Sequence, residues 1–176
     1  MAASSHNTQP WHFQIEPGRI SILPDLTRRC PVVDPDDHHL YASLGCAAEN
    51  LLLAAGAAGQ EGECRWDAGS EALRIELKKG PAERSALFDV IPVRQCSRTE
   101  YDGTQISTDQ LRLLDEACQG EGVSTLFLLK ADEKEMMAEC VAEGNAAQIG
   151  DAQWRQELGS WIRFNEREAV EKGDGL

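Results

Sequence analysis

The sequence predicts an α+β protein with an antiparallel or mixed sheet flanked by helices. Two observations predict it. Short stretches of alternating apolar and polar residues occur in pairs joined by turn residues, at 12–23 and 64–77. Helical spacing occupies 34–56 between them and most of the chain beyond 107. Strand pairs, a long helix, more strands and then a run of helices make a mixed order rather than a strict βαβ alternation.

Each element has a local reason. His12-Phe13-Gln14-Ile15 alternates, Pro17-Gly18 turns, and Ile20-Ser21-Ile22-Leu23 alternates again, which is a hairpin. Asp34-Pro35 is read as a helix start, with Asp34 as the cap and Pro35 in the first turn. Leu40, Leu44, Ala47, Ala48, Leu51, Leu52 and Ala55 follow at helical spacing, and Gly56 and Gly59 end the run. Cys64-Arg65-Trp66 and Leu73–Leu77 flank the turn Ala68-Gly69-Ser70. A short helix is expected over 82–89, and Ile91-Pro92-Val93 is expected to be extended. Ser107 or Thr108 caps a helix to about Cys118, with Leu111, Leu114 and Ala117 inward. Ser124–Leu129 reads as a buried strand and 132–147 as a helix. A last helix runs over 151–170, with Trp154, Leu158, Trp161 and Ile162 as its apolar stripe.

Bulk properties narrow the function. With 41% hydrophobic residues, the 176-residue chain can build a core. Its formal net charge is −13, and so acidic a surface repels phosphate backbones, so a nucleic-acid partner is not expected. No Cys-x-x-Cys pair occurs among the six cysteines. Cys46 and Cys118 fall in apolar helical patterns, where cysteine packs as a small hydrophobe. No signal peptide is read, and no apolar run reaches membrane-spanning length, so a cytoplasmic protein without a membrane partner is expected.

Chemistry concentrates in two places. Ser4-Ser5-His6-Asn7-Thr8-Gln9 packs hydroxyls, an imidazole and two amides ahead of Pro10-Trp11. Amides and hydroxyls can match the alternating donors and acceptors on the edge of a planar heterocycle. The same residues also suit a polar loop ending on a core tryptophan. The second place is Arg94, Cys96, Ser97, Arg98 and Tyr101-Asp102. Two arginines four apart suit a phosphate, because each guanidinium donates parallel hydrogen bonds; they also suit a solvated loop. His38-His39 beside Asp36-Asp37 converge poorly on one metal, because adjacent helical residues point about 100° apart. His6 and His12 show no obvious carboxylate partner. No Gly-x-Ser-x-Gly turn, phosphate loop or Gly-x-Gly-x-x-Gly occurs.

The run Ser4–Phe13 resembles the Ser-Ser-x-Asn-x-Gln-Pro-Trp-x-Phe motif of the FMN-dependent nitroreductase family. In that family the segment lies against the isoalloxazine, often from the neighbouring protomer. The resemblance makes Ser4, Ser5, Asn7 and Gln9 the expected flavin contacts. The second cluster is similar to the family's Arg-x-Ser-x-Arg/Lys-x-Phe segment, which implies Arg94 on the FMN phosphate, Cys96 beside it, and Arg98 on the ring edge or ribityl chain. It departs from the pattern, since Cys96 replaces the usual Ser and the aromatic residue comes one position late. Ser43–Ala55 resembles the family's central helix and equally resembles any buried helix.

The motif order is reversed relative to single-domain nitroreductases. It resembles the larger tandem Acg-like branch, which implies a partial first half over 1–90 and the start of a second half over 91–176. Both ends are expected to be cut, because the motif follows Met1 almost at once and the chain stops just past a helical pattern. The fold is then incomplete relative to the family, and the apolar surface of a half-built core implies a homodimer. The expected activity is electron transfer from NAD(P)H through FMN to a nitroaromatic, quinone or similar small acceptor. The cofactor carries that chemistry, so no catalytic side chain is assigned and no metal is expected. The alternatives are a non-catalytic flavin-binding or flavin-sequestering protein, and a truncated remnant that binds no flavin.

Overall fold

The computed structural model describes residues 2–97, 99–120 and 122–176. By compactness the chain divides into two units, Met1–Gln95 together with Asp151–Leu176, and Cys96–Gly150.

The first unit is built on a four-stranded antiparallel sheet of order β1-β2-β4-β3. Strand β1 is Trp11–Glu16, β2 Arg19–Pro24, β3 Gln60–Asp67 and β4 Ala72–Lys79. The β1–β2 turn is Pro17-Gly18, and Gly18 takes the positive φ of 73° that the second corner after proline demands. Ile22 pairs with Phe13 on one side and Leu73 on the other, while Ile20 pairs with Ile15 and Ile75. Period-two alternation therefore puts one apolar row on a single face.

Helix α1, His38–Ala57, covers that face. Leu40, Leu44, Ala47 and Ala48 are buried with Ile22 and Ile75, and Trp11, Tyr41, Leu51, Leu52, Cys64, Leu73 and Leu77 pack around them. Gly62 lets α1 close on β3, since a Cβ there would lie 2.5 Å from Leu52. The helix is long and apolar enough to meet the length and composition of a membrane span. That differs from the expectation drawn from shorter apolar runs, although here its Leu and Ala stripe forms the core. Cys46 lies on its exposed side and Cys118 is exposed as well; Cys30 is the buried cysteine.

The start of α1 differs from expectation. Pro35 stays outside the helix, and Asp37 at φ 58° turns the chain into it. Asp34 still caps, from further upstream. Its carboxylate accepts from the N–H groups of His39 at 3.0 Å and Leu40 at 2.9 Å. Helix α2 is Ala86–Val90. Ile91–Val93 is a turn rather than extended, because Val93 and Arg94 both donate back to the Val90 carbonyl.

The single helix expected over 151–170 is two, α5 (Ala152–Trp161) and α6 (Glu166–Lys172). Ile162 is extended, and the Asn165 side chain accepts from Glu168 N–H, so a new cap interrupts the pattern. Glu157 of α5 seats this region by accepting from Val32 N–H at 2.8 Å and Val33 N–H at 3.1 Å.

The second unit holds α3, Thr108–Ala117, and α4, Ala131–Gly150. Ser107 caps α3 in a reciprocal box with Gln110. Leu114 and Ala117 are exposed rather than inward. No strand forms over Ser124–Leu129; Leu126 is 82% exposed, and among the described residues the only pairing nearby is Gly120 with Val123.

Leu44 is 0% exposed at the centre of the α1–sheet contact. Leu44→Ala is expected to lower stability by roughly 2–5 kcal/mol through lost burial and a residual cavity. A urea midpoint within error of the native chain's would show that the core lies elsewhere.

Candidate functional site

The Ser4–Trp11 loop is drawn tight by its own groups. Ser4 C=O accepts from Asn7 N–H, Ser5 C=O accepts from Thr8 N–H, and the Ser4 hydroxyl accepts from Gln9 N–H at 3.0 Å. This winds a 3-10 turn over Ser5–Asn7. His6, Asn7 and Gln9 sit at φ 47°, 54° and 51°. Three non-glycine residues in the left-handed region store on the order of 1–3 kcal/mol each, so the surroundings must enforce the shape.

Those surroundings come from the far end of the chain. Asn7 Nδ2 donates to Gly175 C=O at 3.1 Å, and Gly175 N–H donates to Asn7 C=O at 3.2 Å. Gln9 Nε2 donates to Gly173 C=O at 2.6 Å. Between them Asp174 is buried and takes Arg28 Nη1 at 2.8 Å and Arg163 Nη2 at 2.6 Å. The same Arg28 Nη1 also donates to Thr8 C=O at 2.7 Å, so one guanidinium nitrogen ties Asp174 to the loop.

Two clefts open beside the loop. The first, of about 320 Å³, is lined by Ala2, Gln9, Trp11, Phe13, Ala47, Asn50 and Leu51. It joins aromatic side chains and an apolar helix face to two side-chain amides, a combination suited to a flat ring with a polar edge. The second, of about 290 Å³, is lined by Gln9, Trp11, His12, Asp25, Arg28, Lys172, Gly173 and Asp174. Gln9 and Trp11 border both.

The expected site residues are partly gathered. Ser4, Ser5, Asn7 and Gln9 share the loop and are half-buried, but only Gln9 lines the first cleft. Ser5 lines a void of about 10 Å³ beneath the loop, with Thr8 and Ser43. Arg94 is exposed after α2 and lines neither cleft. Cys96 is exposed and opens the second compact unit. Arg98 lies outside the described residues. Asn50 was not singled out; its place one helical turn beyond Ala47, in the stretch resembling the central helix, was the available signal.

His12 has a carboxylate partner after all. The hairpin returns Asp25 beside it, with His12 Nε2 at 3.2 Å from Asp25 Oδ2. Asp25 is further held by Thr27 N–H at 3.0 Å and Thr27 Oγ1 at 2.6 Å. Burial pushes the Asp25, Asp34 and Asp174 carboxyls up, but their hydrogen bonds and cationic neighbours outweigh it and hold all three below 3.8. Burial lowers the pKa of His6 below 6.5 against the raising influence of Glu157. Its Nε2 is buried with no hydrogen-bond partner among the described residues. Burial, with Glu157 and Asp34 adding, pushes the Cys30 thiol up to about 11, so it stays protonated.

No protein-family model matches the chain. Two curated proteins of Mycobacterium tuberculosis do. The chain resembles proteins named as nitroreductases. They are "Putative NAD(P)H nitroreductase MT3217" of strain CDC 1551 / Oshkosh and "Putative NAD(P)H nitroreductase Rv3131" of strain ATCC 25618 / H37Rv. Each is 24% identical over 179 residues, covering 91% of this chain and 47% of the relative. The chain thus spans about half the length of the curated relatives it matches.

The titrating groups make acid stability a test of this geometry. Lowered folded pKa values give stability that is complete above the unfolded value and lost as pH falls through the folded one. The urea midpoint is therefore expected to fall in two stages on acidification. The first begins below pH 6.5 and is absent in His6→Gln. The second begins below pH 3.8, as the three aspartates protonate. A midpoint flat between about pH 7 and about pH 5 would remove His6 from the account.

Proposed function

We propose that this chain forms part of an FMN-dependent oxidoreductase that takes electrons from NAD(P)H and delivers them to a nitroaromatic, quinone or similar small acceptor. The observation that carries the reading is the first cleft. There Gln9 and Trp11 of the motif face Ala47, Asn50 and Leu51 of α1 across about 320 Å³.

The residues present fit the ring end of a flavin. Trp11 and Phe13 offer aromatic surface, Ala47 and Leu51 exclude water, and the amides of Gln9 and Asn50 can meet a heterocycle edge. No cation lines this cleft among the described residues. The phosphate end is assigned by resemblance to Arg94, with Cys96 and Arg98 completing the segment. Ser4, Ser5 and Asn7 shape the loop from which Gln9 projects. Bound FMN would supply the reversible redox chemistry, and this chain's residues would hold and orient it. The two halves at 1–90 and 91–176, assembly as a homodimer and a cytoplasmic setting belong to the same proposal. So does kinship with the tandem Acg-like branch.

A second reading is a flavin-holding protein without turnover. It is favoured by Cys96 in place of the family's Ser and by the absence of Arg94 from the cleft lining.

FMN fluorescence titration is expected to give a Kd of about 1 μM or tighter. Arg94→Ala is expected to weaken it about tenfold or more through loss of a charge-assisted phosphate contact. Bound flavin that NADPH reduces and a quinone reoxidises marks the enzyme, and bound flavin inert to both marks the holding protein. Folded protein that leaves FMN fluorescence unquenched would sink both.

A further inference from the structure

The 173–176 segment meets the motif loop across 164 and 168 residues of sequence. It is seated rather than draped. Gly175 has φ +81°, and a Cβ there would fall against the Trp161 carbonyl and lie 2.8 Å from Arg163. Leu176 N–H donates to Trp161 C=O and Arg163 N–H donates to Leu176 C=O, both at 2.8 Å. Arg163 and Asp174 are each 8% exposed at the side chain. A buried carboxylate with two guanidiniums leaves the segment few alternative positions.

We propose that Asp174 is a positioning residue for the candidate cofactor cleft. Through the 173–176 segment it holds the Ser4–Gln9 loop in its left-handed shape, so that Gln9 presents its remaining amide groups to a planar ligand between Trp11 and Asn50. The proposal rests on the flavin reading above and adds a region that the motif does not contain.

Three observations carry it. The loop's positive φ angles at His6, Asn7 and Gln9 need a restraint, and the side-chain hydrogen bonds of Asn7 and Gln9 among the described residues go to Gly175 and Gly173. Arg28 binds Asp174 and Thr8 C=O with one nitrogen, so the clamp grips the loop at a third point. A primary amide has two N–H donors and one carbonyl acceptor. The bond to Gly173 takes one donor of Gln9, and the other donor and the oxygen stay for a ligand. The clamp therefore orients the amide without exhausting it.

The test uses the full chain, Asp174→Asn, and Arg28→Met, which keeps an unbranched apolar stem but removes the nitrogen that bridges Asp174 and the Thr8 carbonyl. Both variants are first checked for native far-UV circular dichroism. Amide hydrogen exchange at Asn7, Thr8 and Gln9 is expected to rise at least about tenfold in either variant. FMN binding is expected to weaken about tenfold in Asp174→Asn, and by less than about twofold when Gln9 is already alanine, because Asp174 acts through Gln9. Asp174→Glu is expected to restore part of the affinity. Unchanged exchange overturns the clamp. Faster exchange with unchanged affinity, or effects of Asp174→Asn and Gln9→Ala that simply add, overturns its role in binding. Native protein that binds no FMN overturns the flavin reading, and the clamp then stands or falls on the exchange rates.

Discussion

Asp174 lies buried between Arg28 and Arg163, and the motif loop's hold on the 173–176 segment depends on that contact. A carboxylate so placed must be matched, because an unpaired charge under this much protein is strongly destabilising. Arg28 satisfies it while also reaching Asp25 and the Thr8 carbonyl. Arg163 satisfies it from the stretch between α5 and α6. One ion cluster thereby fastens the 173–176 segment and the stretch between α5 and α6 to the motif loop and the 25–28 turn, which the β1–β2 hairpin already holds side by side.

The sheet and α1 supply the platform for this cluster. Ile22, Ile75 and Leu44 bury the apolar face, and the β1–β2 hairpin sets Trp11 opposite Pro24 and ends on the Asp25 N–H to Pro10 C=O bond. The platform is densely packed, and the loop takes left-handed backbone where it leaves the platform. That division is common where a scaffold holds a binding segment in an uncommon conformation.

The hairpin and the inward stripe of α1 were legible because their causes are local. Pro17-Gly18 dictates a turn by itself, and Leu40, Leu44, Ala47 and Ala48 recur at helical spacing. Asp34 was legible as a cap and not as to distance, since the left-handed Asp37 shifted the helix start without changing the acceptor. Ser124–Leu129 shows the limit of composition, because an apolar run becomes a strand only when a neighbour completes its ladder. The motif loop shows another limit. Its residue types state what Asn7 and Gln9 can donate, but nothing near them in sequence names Gly173 and Gly175 as the receivers. His12 and Asp25 were likewise joined only by the hairpin's register. The mycobacterial proteins that the chain resembles are named as nitroreductases, in line with the family resemblance, and that similarity assigns no residue of the loop a role.

Gln9 and Trp11 form a common wall between the apolar cleft and the polar one that holds His12 and Lys172. Two occupants on either side of that wall would touch the same two side chains. A molecule that rotates the Gln9 amide or the Trp11 ring from one side changes what the other side meets. Equilibrium then requires that the influence be equal in both directions.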